Sequence, residues 1–247
     1  MTDTPLVSVV LPAHNEADLL EQSVAELVKG LSDRGEPFEL IIVENGSSDT
    51  TAALARRLEA DLCGVRALSL PVADYGRAVA RGFEEAAAPA IVLFDVDYFD
   101  LGFLDEALRT LRDGTAGIVL ASKRAPGADD RRPARRRLLT AGFTAAMRLL
   151  LGIPVSDAHG MKAISKEHCA PLVGRCSMGG SLFDVELVLR ASRAGVPIIE
   201  LPAQVSERRP PRTPLTRRSL ESAVGLLKLR KLIRRELGTR SGRPSPG

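Results

Sequence analysis

Short, nearly continuous apolar runs alternate along the chain with longer segments in which apolar residues return every three or four positions. The runs are Leu6 to Leu11 (LVSVVL), Phe38 to Val43, Val65 to Leu70, Ala90 to Phe94 and Ile118 to Ala121. Unbroken β-branched and leucine-rich stretches of this length predict strands buried on both faces, the pattern of parallel sheets. Pro12 closes the first, and the next segment predicts a helix capped by Asn15, with Glu16 and Asp18 in its first turn and Leu19, Leu20, Val24, Leu27, Val28 and Leu31 on its inner face. The turn cluster Glu44 to Asp49 precedes a helix to about Ala60, capped by Ser48 or Asp49, and Gly76 to Ala88 reads as another. Further helices are expected after the Asp95 to Asp100 turn as far as Leu111, from the basic stretch Arg131 to Arg137 up to Leu151, over Phe183 to Ala194, and over Arg217 to Leu237. Val196 to Gln204 holds Pro197 and Pro202, which suits an edge strand. The order is β-α-β-α-β-α-β without an internal repeat. It predicts an α/β fold: a single mostly parallel sheet flanked by helices, with ligands at the carboxyl ends of the strands.

The 247 residues suit one domain over residues 1–215, followed by a basic amphipathic helix over 216–238 and a disordered end over 239–247. A 45% hydrophobic and 26% charged content excludes disorder as the main state. With 4% aromatic residues and no Trp, a stacking platform for single-stranded nucleic acid is not expected. Cys63, Cys169 and Cys176 are odd in number and lack CxxC spacing, so neither a disulfide framework nor a structural zinc site is expected and a reducing cytoplasm fits. No apolar run approaches the roughly 18 to 20 residues that cross a bilayer, and Met1 to Pro5 does not resemble a leader. Charge is divided unevenly, because residues 205–247 hold 12 of the 34 Lys and Arg against three acidic residues. Such a basic tail on an acidic body suits a polyanionic partner, phospholipid or nucleic acid, or else is a solvated arginine-rich end.

Phe94-Asp95-Val96-Asp97 places two carboxylates, one residue apart, at the end of a buried strand. Two such charges repel unless a cation sits between them, and oxygen-only ligation favours Mg²⁺ or Mn²⁺; the alternative is a polar turn. Other strand ends are polar as well: His14, Asn15 and Glu16; Glu44 and Asn45; Asp74 with Arg77 and Arg81. Convergence on one crevice would offer amides and carboxylates to a ribose and base, and guanidinium groups to phosphate.

VSVVLPAHNE, IIVENGSSDTT, DYGRAVARGF and IVLFDVD, in this order, resemble family 2 glycosyltransferases of the GT-A fold. The nearer likeness is to polyprenyl- or dolichyl-phosphate mannosyl- and glucosyltransferases, through Asp157-Ala158-His159-Gly160-Met161-Lys162, Phe183-Asp184-Val185-Glu186-Leu187 and Ile198-Ile199-Glu200-Leu201-Pro202. The resemblance implies that Pro12, Ala13 and Glu16 bind the nucleoside, Glu44 and Asn45 the base and ribose, and Asp95 and Asp97 the metal-bound diphosphate. Lys123 and Lys162 would face the sugar or phosphates, Arg77 the donor phosphates, and Lys162, Arg208 and Arg212 the acceptor phosphate. Catalysis would then rest on Asp95, Asp97 and Lys162. Glu44-Asn45-Gly46-Ser47 replaces the family's Asp-Asp-Gly-Ser, and Tyr98 to Leu101 replaces a Gln-His-Pro-Pro segment, so the nucleotide (UDP or GDP) and the sugar stay open.

A sugar leaving a nucleoside diphosphate loads negative charge on the leaving group, which a metal and cations must balance. An alcohol acceptor needs a general base, whereas a phosphate acceptor arrives ionised. No acid pair follows the Asp95/Asp97 motif, which favours phosphate, with Asp157 and Asp184 as fallback bases or structural ion pairs. The expected activity is a metal-dependent, inverting glycosyltransferase acting on polyprenyl phosphate, peripheral on the inner face of the cell membrane, with no nucleic-acid partner. The same donor chemistry on a soluble acceptor and a non-catalytic basic adaptor are the alternatives. In the last helix, Leu220, Val224, Leu227, Ile233 and Leu237 approximate one apolar face, which either meets the membrane or packs on the sheet.

Overall fold

The computed structural model describes residues 4–130, 134–205 and 224–236. Its centre is a seven-stranded sheet in the order β3-β2-β1-β4-β7-β5-β8. The strands are β1 (Val7–Ala13), β2 (Phe38–Asn45), β3 (Val65–Leu70), β4 (Ala90–Leu93), β5 (Ile118–Ser122), β7 (Lys162–Ser165) and β8 (Ile198–Pro202). All neighbours are parallel except β7, which runs antiparallel between β4 and β5. A separate short pair joins β6 (Asp129–Asp130) to β9 (Gln204–Val205). The helices are α1 (Leu20–Ser32), α2 (Thr51–Asp61), α3 (Tyr75–Glu85), α4 (Leu101–Arg112), α5 (Ala134–Leu151), α6 (Lys166–Val173) and α7 (Leu182–Arg193), followed by helical residues 224–236, here α8.

Successive strand residues feed opposite layers, which is why the apolar runs are unbroken. Val9, Leu11, Leu40, Ile42 and Val92 pack with Leu20, Val24 and Leu27 of α1 and Leu104 of α4. Val10, Ile41, Ile91, Leu93, Ile118 and Ile164 pack with Val79 of α3, Cys169 of α6, Leu187 of α7 and Leu229 of α8. Expected helices and strands within the described residues recur within a few residues of their sequence bounds, and β8 lies at a sheet edge as its prolines predict; the start of the expected 217–237 helix, the boundary at 215 and the 239–247 end lie outside the described residues.

Several boundaries differ for identifiable reasons. β1 continues through Pro12 to Ala13. Val10 O accepts from Phe94 N on the β4 side, so Pro12, two residues on, also turns its missing N–H toward that side, where the β1–β4 ladder has already ended at Val10 and Leu93. β2 likewise runs on through Glu44 and Asn45, which pair with Ser69 and Leu70 of β3. Asn15 does not cap α1: the helix starts at Leu20, and Asn15 takes φ +54° with its Oδ1 accepting from Ser48 N at 2.8 Å. β7 and α6 are elements that the hydrophobic pattern did not signal.

Candidate functional site

The chain order turns back between β1 and β4, since β2 and β3 extend the sheet to one side of β1 and later strands lie on the other. In open α/β sheets this switch point is where a crevice opens at the carboxyl ends of the strands. A cleft of about 280 Å³ occupies it, lined among others by Pro12, Ala13, His14, Glu16, Asn45 and Asp74 with Asp95 and Asp97. The structure thus brings the ends of four strands together.

The aspartate pair is aimed by the residue between them. Val96 is 2% exposed in the sheet's α1 layer, and its carbonyl accepts from Ser23 Oγ of α1 at 2.6 Å. Asp95 N and O each bond Tyr98 at 3.1 Å, closing a tight turn. With Val96 anchored inward, Asp95 and Asp97 are left on the cleft side, where both line it. Desolvation and the neighbouring Asp97 carboxylate push the Asp95 carboxyl up to about 6, against the opposing pull of Lys162 and Lys123. Two carboxylates so placed fit a hard divalent cation, whose remaining positions diphosphate oxygens and water would fill. No group of three or more His, Cys, Asp or Glu with metal-holding geometry occurs among the described residues, so a cation here would draw its other ligands from substrate.

Asn45 joins the β1 and β2 loops. Its carbonyl meets His14 Nδ1 at 2.7 Å and its Oδ1 accepts from Asp74 N at 2.7 Å. His14 Nε2 lies 3.1 Å from Asn15 Nδ2, so the partners on both sides suit an imidazole protonated at Nδ1. Gly46 turns at φ +60°, and a Cβ there would meet Ala73 N at 2.7 Å, so the turn excludes any side chain. Glu44 departs from its expected role. One oxygen accepts from Ser47 N (2.6 Å) and the other from Ser69 Oγ, and the residue is 3% exposed, so its carboxylate closes the loop instead of facing a base. Glu16 is 9% exposed at the cleft wall, with its N–H bonded to Thr51 Oγ1.

Lys162 is the other departure from the sequence expectation. Its position on β7, paired with Leu93 and Leu120, buries it completely, and its Nζ donates to Gly160 O at 2.8 Å and lies 2.9 Å from Asp184 Oδ1 of α7. It is a neutralised internal cation beneath Asp95, not an exposed phosphate ligand. Lys123, at the end of β5, is the more accessible cation at 17% side-chain exposure, 3.5 Å from Asp157 Oδ2. Glu200 of β8 accepts from Ser156 N, Ser156 Oγ and Asp157 N, fixing the loop that presents Asp157 and His159. Burial draws the His159 imidazole below its usual range, against Asp184 and Asp157, which favours the neutral ring. Arg77 is exposed on α3 outside the cleft lining, and Arg81 pairs with Glu85 at 2.7 Å. Arg208 and Arg212 lie outside the described residues. Asp184 and Asp157 form the structural ion pairs that the sequence offered as one reading of them, with Lys162 and Lys123 as the partners it did not name, and the Glu200 tether was not signalled at all.

Residues 8–170 match the sequence profile of glycosyl transferase family 2. The chain is similar to glycosyltransferase AglD of Haloferax volcanii, 33% identical over 79% of this chain and 32% of that protein. It is also similar to a dolichyl-phosphate β-glucosyltransferase of Trichomonas vaginalis, 25% identical over 81% of this chain and 66% of that one. The chain therefore spans about a third of the first relative's length. Among solved structures, glucosyl-3-phosphoglycerate synthase of Mycobacterium tuberculosis with Mn²⁺, UDP and phosphoglyceric acid superposes at a TM-score of 0.69, with 26% identity over 92% of this chain and 78% of that one. The same synthase with Mg²⁺ and UDP superposes at 0.67, with 23% identity over 91% of this chain and 79% of that one. A profile match across most of the sheet, together with this sheet order and its strand-end carboxylates, means that the chain belongs to glycosyl transferase family 2 and is a glycosyltransferase of the GT-A fold.

Proposed function

We propose that the protein transfers a sugar, with inversion, from a UDP-linked donor to the phosphate of a polyprenyl phosphate, using Mg²⁺ or Mn²⁺ at Asp95 and Asp97. GDP-linked donors are the alternative. The observation that carries the reading is the single cleft uniting Pro12 to Glu16, Asn45 and Asp74 with the two aspartates. UDP in the related synthase structures supports uridine as the base, and the dolichyl-phosphate relative supports a polyprenyl phosphate.

In this mechanism Pro12, Ala13 and Glu16 line the nucleoside side, and Asn45 Nδ2 is available to the base or ribose while its Oδ1 serves Asp74. The divalent ion would neutralise charge on the departing diphosphate. Lys162 adds a fixed positive charge below Asp95, held by Asp184. Lys123 stands at the rim for the acceptor phosphate. Each carboxylate on this side that could serve as a general base, Asp157 and Asp184, lies within ion-pair distance of a lysine, Lys123 and Lys162 respectively. An acceptor that arrives ionised needs no such group.

The test is incubation with UDP-sugars and Mn²⁺, offering polyprenyl phosphate, phosphoglycerate and a simple alcohol as acceptors. Sugar on the polyprenyl phosphate is the expected product; transfer to the alcohol alone would overturn the acceptor assignment. Phosphoglyceric acid in the related synthase structure makes a soluble, phosphate-bearing acceptor the second reading. No helix of the described residues is long and apolar enough to cross a membrane, so a lipid acceptor would be met at the bilayer surface.

A further inference from the structure

Helix α5 has one face fixed and one face exposed. On the fixed face Met147 and Leu151 are buried in the core, Thr144 Oγ1 donates to Ser156 O at 2.8 Å, and Arg148 Nε donates to Val155 O at 3.2 Å. The helix therefore cannot roll. On the exposed face Leu138, Gly142, Ala145 and Leu149 follow one another at intervals of four, three and four, which sets them in one stripe about 16 Å long. Leu138 is 73% and Leu149 84% exposed, the highest values for large apolar side chains among the described residues, and Leu139 adds to the patch at 38%.

The chemistry beside the stripe selects its occupant. Arg135, Arg137 and Arg148 are exposed on α5, and the helix has no Asp or Glu in its 18 residues. Leucines that enter the acyl boundary while arginines reach the headgroup phosphates are what an interfacial helix presents. A second copy of the chain fits poorly, because two α5 faces in contact would bring their arginines together with no carboxylate on either helix. The outward face of α8 is richer in charge and poorer in bulk: Lys228, Lys231, Arg234 and Arg235 are exposed there with Val224 at 45% and Leu227 at 56%. Helix α5 also walls the acceptor-side loop, since the Phe143 ring lies 5.1 Å from that of His159.

We propose that the exposed face of α5 seats the protein on an anionic phospholipid surface, with Leu138 and Leu149 in the acyl boundary and Arg135 and Arg137 at the lipid phosphates. This surface deepens the polyprenyl-phosphate reading, on which it rests for its acceptor, by placing the loop of Asp157 and His159 beside the bilayer from which such an acceptor would come.

The test is co-sedimentation of the full chain with vesicles of equal parts phosphatidylglycerol and phosphatidylcholine, and with phosphatidylcholine alone. The wild type should bind the anionic vesicles more tightly, and more weakly as salt rises. Leu138→Gln/Leu149→Gln should bind them at least about tenfold more weakly, because two exposed leucines no longer leave water. Mn²⁺-dependent UDP binding should be unchanged in that variant. A Lys228→Gln/Lys231→Gln variant should retain most of its vesicle binding. Equal binding by wild type and the leucine variant, absence of wild-type binding, loss confined to the α8 variant, or a leucine-dependent dimer in lipid-free solution would each overturn the proposal. Failure of the donor reading would show separately, as absent UDP binding in a protein that still sediments with vesicles.

Discussion

Lys162 and Asp184 lie 2.9 Å apart with side chains 1% and 2% exposed, an ion pair almost fully removed from water. Removing one partner of such a pair strands a charge in the interior and costs about 3–5 kcal/mol, whereas replacing both by apolar groups is often close to neutral. Asp184→Asn should therefore lower the melting temperature more than Lys162→Met/Asp184→Leu does. Equal melting temperatures would contradict the pairing. A kinetic defect in Lys162→Ala would thus combine lost charge with lost fold, and the double variant separates them. For Asp95, whose carboxyl is pushed up to about 6, cation binding requires the ionised form. Mn²⁺-dependent UDP affinity should be full above about pH 6 and fall by up to about tenfold per unit below it; a flat profile from pH 7 to 5 would argue against this group as the ligand. The aspartates themselves were legible in the sequence, as two carboxylates closing a buried strand. The spent carboxylate of Glu44 was not, because its partners Ser47 N and Ser69 Oγ meet it only once β2 and β3 pair.

Helix α8 shows why an apolar period does not by itself choose a face. Residues 220, 224 and 227 make one leucine-valine stripe and 226, 229 and 233 another, and both satisfy helical spacing. The structure buries Leu226, Leu229 and Ile233 and leaves Val224 and Leu227 exposed; of the face expected from the sequence Ile233 is buried, Val224 and Leu227 are not, and Leu220 and Leu237 lie outside the described residues. What decides between them is tertiary: Arg190 of α7 binds Glu236 at 2.8 Å and Glu186 at 2.6 Å, and Glu186 also accepts from Ser177 N and Met178 N. Leu229→Ala should cost about 2–4 kcal/mol in urea denaturation, and Leu227→Ala within about 0.5 kcal/mol. Comparable losses at both sites would undo this assignment. β7 was illegible for a related reason. Its four residues, Lys162 to Ser165, begin with a lysine, and only the cross-strand partners Leu93 and Leu120 make an interior position of it.

Across the whole molecule the sheet is cross-tied by polar groups as well as by its two apolar layers. Glu39 of β2 accepts from Ser8 Oγ of β1 (2.5 Å), from Ala87 N ahead of β4 (2.6 Å) and from Arg66 of β3 (3.0 Å). Desolvation opposes its ionisation, but these donors outweigh burial and hold the carboxyl below the ordinary range. A depressed carboxylate stabilises the fold above its unfolded-state value, about 4.3, and that contribution is lost as pH falls through the folded value. The urea midpoint of the wild type should accordingly drop between about pH 4.5 and the acid limit, and Glu39→Gln should flatten part of that slope. An identical slope in the variant would contradict the tie. The parallel, doubly covered sheet was legible from unbroken apolar runs alternating with amphipathic segments, and the position of the cleft followed from polar residues at successive strand ends. Strand order was not, because nothing in the runs says that β7 inserts antiparallel between β4 and β5.

The central claim is that the cleft at the β1–β4 turning point holds a nucleoside diphosphate through a divalent ion on Asp95 and Asp97. Calorimetric titration of UDP into the full chain, with and without Mn²⁺, in the wild type and in Asp97→Asn, tests it most directly. The account predicts Mn²⁺-dependent binding in the wild type and a loss of at least about tenfold in the variant, whose melting temperature stays near that of the wild type because Asp97 lines the cleft and is not part of the core. UDP affinity that is the same with and without Mn²⁺, or the same in both proteins, would contradict it.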